Sequence, residues 1–156
     1  MLLAQNETGY LNLLTLNSCL YLPKDRPVPH VTLDEVCAHS DGLICLTGGA
    51  DGPLGRFIRQ GHPDRAQALA TRLAGAFDGR LYVELQRHRD ASGQMMEAER
   101  DSERALVDLA YALDLPLVAT NDVHFASPDM YEAHDALLCI RDGAYVDQSA
   151  PRRRLT

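Results

Sequence analysis

The sequence has no CxxC pair, no long apolar run and no excess of positive charge. Each absence narrows the reading. The four cysteines are Cys19, Cys37, Cys45 and Cys139, with Cys19, Cys45 and Cys139 set in apolar runs. That pattern predicts reduced, mostly buried thiols in a cytoplasmic protein. No apolar stretch approaches the roughly 18 residues that a membrane span needs. The opening Met1-Leu2-Leu3-Ala4-Gln5-Asn6-Glu7 has no basic region, so it does not read as a signal peptide. The net charge is -7, so no overall field draws nucleic acid to the chain. Only Arg152-Arg153-Arg154 is locally basic, and it reads as a solvated end. There is no internal repeat, no low-complexity segment and no Ser-His-Asp or Cys-His nucleophile pattern.

What is present suits one soluble globular domain or part of one. The chain has 156 residues, 46% of them hydrophobic and 24% charged, enough to bury a core without disulfides. Met1 to Ala4 reads as a short buried strand. Glu7 to Leu22 reads as a helix with Tyr10, Leu13, Leu14, Leu16 and Leu20 as its apolar content, ended by Pro23. Thr32-Leu33-Asp34-Glu35 is a capping box at a helix start. Gly42 to Thr47 is a glycine-bounded apolar run, hence a strand. Pro53 and Pro63 suit the first positions of two helices, stopped by Gly61 and Gly79. Arg80 to Gln86 alternates, with Leu81, Val83 and Leu85 on one side and Tyr82, Glu84 and Gln86 on the other. Arg89 to Met96 reads as an irregular loop and Glu99 to Leu113 as an amphipathic helix. Pro116 to Thr120 is another strand, and Ser127 is read as the cap of a last helix that Gly143 ends.

Strands and helices alternate, which predicts an α/β fold with parallel strands and covering helices. Four parallel strands would leave two open edges, so the sheet is expected to belong to a larger closed barrel.

In such folds ligands bind beyond the carboxyl ends of strands. After Pro116–Thr120 come Asn121-Asp122-Val123-His124-Phe125. Asp122 and His124 are two apart, so in extended chain they project to one side, within reach of one ion. A carboxylate and an imidazole are ligands for zinc, manganese or iron, but two do not complete a site. The plainer alternative is that Asp122 caps a turn and His124 packs beside Phe125. Glu84, Gln86 and His88 lie at a second strand end. Glu84 reads as a buried structural carboxylate and His88 as an exposed loop residue, with a ligand role as the alternative. His134 and Asp135 read as structural, and His30, His39 and His62 suggest no partner. Thr47-Gly48-Gly49-Ala50-Asp51-Gly52-Pro53 runs from strand to helix. It could cradle a phosphate at the helix start, but it lacks the lysine of a P-loop and the spacing of a dinucleotide fingerprint, so a tight turn is the favoured reading.

Five stretches together resemble a known family. Leu2 to Leu13 (LLAQNETGYLNL), Gly42 to Gly49 (GLICLTGG), Leu81 to His88 (LYVELQRH), Leu115 to Phe125 (LPLVATNDVHF) and Ala133 to Ile140 (AHDALLCI) are similar, in order, to segments of the PHP (polymerase and histidinol phosphatase) domain of bacterial DNA polymerase III alpha subunits. The resemblance implies the C-terminal part of a distorted (β/α)7 PHP barrel over residues 1–150, with 151–156 starting a linker towards a polymerase core. It implies that Asp122 and His124 are two ligands of a metal cluster, for zinc or manganese, that serves 3′-5′ exonuclease proofreading in some members. Other members keep the domain as a scaffold. Two departures bear on this. Members that bind metal carry a cysteine in the turn where Gly49 stands, and the family's HxH motif belongs to sequence before this segment. The resemblance further implies a parent that makes DNA with Mg2+ in a polymerase core beyond Thr156. Its partners would be the rest of the alpha subunit, replisome subunits including a proofreading exonuclease, and DNA through the parent. A stand-alone metal-dependent phosphoesterase and a docking module without chemistry are the competing expectations.

Overall fold

The computed structural model describes residues 1–22, 27–89 and 93–148. The expected helix stop at Pro23 and the linker at 151–156 lie outside them.

Among the described residues, strands and helices largely alternate. Strand β1 (Leu2–Ala4) is followed by α1 (Glu7–Tyr21), α2 (Leu33–Ala38), β2 (Leu43–Leu46), α3 (Pro53–Arg59), α4 (Pro63–Ala76), β3 (Leu81–Leu85), α5 (Glu97–Ala112), β4 (Leu117–Ala119) and α6 (Tyr131–Asp142), with 3-10 turns at Gly49–Asp51 and Pro128–Met130. The sheet has the order β1-β2-β3-β4. β2, β3 and β4 are parallel, Cys45 facing Leu81 and Val83 facing Leu117. β1 is antiparallel to β2, with Leu3 opposite Ile44. The α/β class with alternating elements is therefore observed, and the sheet is not closed among the described residues. The direction of β1 corrects the expectation of an all-parallel sheet. A three-residue apolar strand carries no pattern that encodes its direction.

Local chemistry explains the boundaries. The Asn6 side chain accepts the Gly9 N–H at 3.0 Å and caps α1. The capping box of α2 is closed: Glu35 N–H donates to Thr32 Oγ1 at 3.2 Å, and Thr32 N–H to Glu35 Oε2 at 2.7 Å. Pro53 and Pro63 open α3 and α4, and Gly143, in the left-handed region at φ 64°, closes α6. Ser127 is not the cap of α6. Its hydroxyl donates to the Asp129 carboxylate within the 3-10 turn, and the helix proper starts at Tyr131. α1 lies directly on the turn before β2. A Cβ at Gly9 would stand 1.8 Å from the Gly42 carbonyl oxygen, so only glycine lets the two backbones meet.

The core has two clusters. Leu16, Leu43, Cys45, Leu73, Phe77 and Leu81 form one, under α1 and α4. Leu54, Ala66, Ala70, Val83, Leu106 and Ala110 form the other, where α3 and α5 cover β3. The predicted alternation along β3 holds in part: Leu81 and Val83 are enclosed, while Glu84 is buried as well and Leu85 only half-buried. Cys45 and Cys139 are buried, Cys19 and Cys37 half-buried, and no disulfide joins the described residues. Tyr10 and Leu14 of α1, expected as apolar content, are instead exposed. No helix among the described residues is long and apolar enough to cross a membrane.

Candidate functional site

Because β2, β3 and β4 run parallel, their carboxyl ends meet at one edge. Three segments gather there: Thr47-Gly48-Gly49 after β2, Gln86-Arg87-His88 after β3, and Thr120 to His124 after β4.

The centre of this edge is a polar knot around Glu84. The side chain is 2% exposed. Its Oε2 accepts the Gly48 N–H at 2.8 Å, and its Oε1 accepts the Thr120 hydroxyl in a short bond. The Thr47 hydroxyl accepts the Glu84 N–H at 2.9 Å, and the Gln86 amide donates to Thr120 Oγ1 at 3.3 Å. A buried carboxylate is tolerable only when bonded in this way. The structural reading of Glu84 is thereby observed: it ties the three strand ends together. Gly49, at φ +56°, abuts this knot, and a Cβ there would come within 2.9 Å of Gln86 Oε1.

Beyond the knot lies an open cleft of about 660 Å³, lined by Arg87, His88, Asp122, His124, His134 and Leu137 among others. Asp122 and His124 do project to one side: Asp122 Oδ2 and His124 Nε2 are 3.2 Å apart, with side chains 33% and 45% exposed. His124 stacks on His134 with ring centroids 5.2 Å apart, and Phe125 leans on His134 at 5.3 Å and edges onto Tyr131 at 6.3 Å. His134, read as structural, thus belongs to the cleft wall, while Asp135 is buried.

His88 departs most from expectation. It was read as an exposed loop residue, yet its side chain is 10% exposed. Its Nδ1 is 2.5 Å from Glu99 Oε1, its backbone N–H donates to Glu99 Oε2 at 2.7 Å, and its Nε2 accepts the Asp122 N–H at 3.3 Å. Glu99, which sequence reasoning placed only as a helix start, is 7% exposed. A signal existed in the acidic first turn of α5, but its partner lies 11 residues back and is visible only in three dimensions. Arg87 next door makes two bonds to Glu103, at 2.8 and 2.7 Å. The guanidinium holds the Glu103 carboxyl below its ordinary range, and the carboxylate in turn raises Arg87.

The donor chemistry of Asp122 and His124 suits a borderline cation, but the count does not. Among the described residues no group of three His, Cys, Asp or Glu side chains could hold a metal. The two residues are at most part of a centre, and no chemistry through an ion follows from this chain alone.

Residues 1–88 match the PHP domain family. The chain belongs to that family. Its PHP assignment by family match ends at His88, yet relatives align over all of it. The chain is 50% identical over 157 residues to the DNA polymerase III subunit alpha of Caulobacter vibrioides, covering 100% of this chain and 13% of the relative. It is 36% identical to the subunit of that name from Rickettsia bellii, over 99% of this chain and 12% of the relative. It is 35% identical to the error-prone DNA polymerase of Symbiobacterium thermophilum, over 99% of this chain and 15% of the relative. This PHP segment therefore spans about an eighth of the relatives' length, and the Asp122–His124 stretch falls inside the aligned region although beyond the family match.

Proposed function

We propose that this PHP segment is a structural part of a bacterial DNA polymerase III alpha subunit, a cytoplasmic enzyme of DNA replication, and that Asp122 and His124 are the remnant of a metal site. The parent would synthesise DNA by nucleotidyl transfer, with Mg2+ in a polymerase core separate from this segment. The segment would support that core, and its partners would be the rest of the subunit and replisome proteins such as a proofreading exonuclease. DNA would be held by the parent, in keeping with the net charge of -7 here.

One observation carries the scaffold reading. At the edge where the strand ends converge, the polar side chains are spent on each other. Glu84 is bound to Gly48, Thr120 and Gln86, and no third donor joins Asp122 and His124 among the described residues. A catalytic metal needs about three protein ligands and an open position. The juxtaposition of Asp122 and His124 favours the rival, a metal-dependent phosphoesterase or 3′-5′ exonuclease, only if further ligands are supplied by other parts of the parent.

Elemental analysis of the full-length protein separates the two. The scaffold reading predicts no stoichiometric zinc or manganese, and no change on His124→Ala or Asp122→Ala. Stoichiometric metal that both substitutions remove would overturn it in favour of the hydrolytic reading.

A further inference from the structure

We infer that Glu99 and His88 form a buried positioning pair that holds the Asp122-Val123-His124 segment against the end of β3. The inference deepens the proposed reading by saying what shapes the cleft, and it rests on that reading only for the importance of this segment.

His88 is fixed before its ring reaches the cleft. Its N–H donates to Glu99 Oε2 at 2.7 Å, and its carbonyl accepts the Met96 N–H at 3.0 Å. The residue after β3 is thus pinned at both backbone polar atoms to the start of α5. Glu99 uses its other oxygen on His88 Nδ1 at 2.5 Å. A carboxylate accepts only, so Nδ1 carries the proton. That leaves Nε2 as a lone pair, and the group facing it is the Asp122 N–H at 3.3 Å. The two bonds demand one and the same neutral tautomer, so the carboxylate sets both the angle of the ring and the atom it offers. The pair is enclosed, 10% and 8% exposed, where such bonds are weakly screened.

The segment held by this tie lies past the end of the sheet. β4 ends at Ala119, and Thr120 N–H makes the last ladder bond, to Leu85 O at 3.1 Å. Val123 N–H then closes a tight turn onto Asn121 O at 2.9 Å. Between the ladder's end and the helix α6, His88 supplies a link across 34 residues of sequence. Through it the start of α5 determines where the backbone between Asp122 and His124 runs.

Hydrogen exchange of the full-length protein, treated with a chelator and followed by mass spectrometry of peptides, tests this without reference to metal. His88→Leu removes both bonds of the ring. His88→Gln returns an acceptor near the place of Nε2. Glu99→Gln keeps the shape and weakens the hold on the ring. The inference predicts roughly tenfold faster exchange of residues 120–126 in His88→Leu, from loss of one local hydrogen bond, with residues 81–87 unchanged. It predicts most of the protection back in His88→Gln and an intermediate value in Glu99→Gln. Unchanged exchange of 120–126 in His88→Leu would overturn it. So would a loss spread equally over 81–87 and 97–112, or a His88→Gln protein no better than His88→Leu, since these would mean that the pair serves only core packing. Metal analysis of the untreated wild-type protein scores the scaffold reading separately.

Discussion

Cys45 shows how much one residue's surroundings decide. It stands in β2 with 7% exposure, and burial pushes its thiol pKa up, away from the reactive thiolate. Native protein treated with iodoacetamide at neutral pH is expected to leave Cys45 unmodified, with full labelling once denaturant unfolds the chain. Rapid native labelling of Cys45 would mean that the first core cluster opens readily. Its buried state was legible from the apolar run around it; Asp122 and His124 do lie together, but across a tight turn closed by Val123 N–H on Asn121 O rather than in extended chain. The roles of His88 and Glu99 were not legible. A histidine after a strand and a glutamate in a helix's first turn are each ordinary, and only the packing of α5 on β3 brings them within 2.5 Å. His134 was missed for the same reason: stacking on His124 depends on where α6 lies, and nothing in the helix's own periodicity states that.

At the scale of elements, local signals placed most boundaries, because caps and proline act within one turn. The box at Thr32 and Glu35, Pro53, Pro63 and Gly143 all sit where their chemistry requires. Pairing direction and helix contacts are non-local, so β1's antiparallel run and the start of α6 escaped. The junction of α1 with β2 is the element contact most sensitive to a single change. Gly9→Ala would drive a methyl group into the Gly42 carbonyl, 1.8 Å away. It is expected to cost about 1–3 kcal/mol, the usual range for overpacking, read from the denaturant midpoint. A midpoint within error of wild type would mean that α1 is not seated on that turn. α1 and α6 also keep apolar side chains in solvent, Tyr10 and Leu14 on one, Leu137 and Ile140 on the other. Their outer faces are not organised as the polar sides of isolated amphipathic helices.

At the scale of the whole molecule, the segment is two small cores joined through β3 and closed at one edge by the Glu84 knot. Among the described residues its sheet ends at β1 and β4, and Leu117 of β4 is partly exposed. The alternating order and the family resemblance predicted this architecture, and the match over residues 1–88 bears them out. On the proposed reading, such a body supports a polymerase rather than performing chemistry. Phe77, fully enclosed in the first cluster, is the residue on which to test it. Phe77→Ala is expected to cost roughly 3–5 kcal/mol of local stability. The decisive measurement is primer extension by the full-length protein as temperature rises, wild type against Phe77→Ala. A supporting role predicts that DNA synthesis fails at a lower temperature in the variant, together with loss of hydrogen-exchange protection in residues 63–85. Synthesis that persists at wild-type temperatures while this segment unfolds would contradict it.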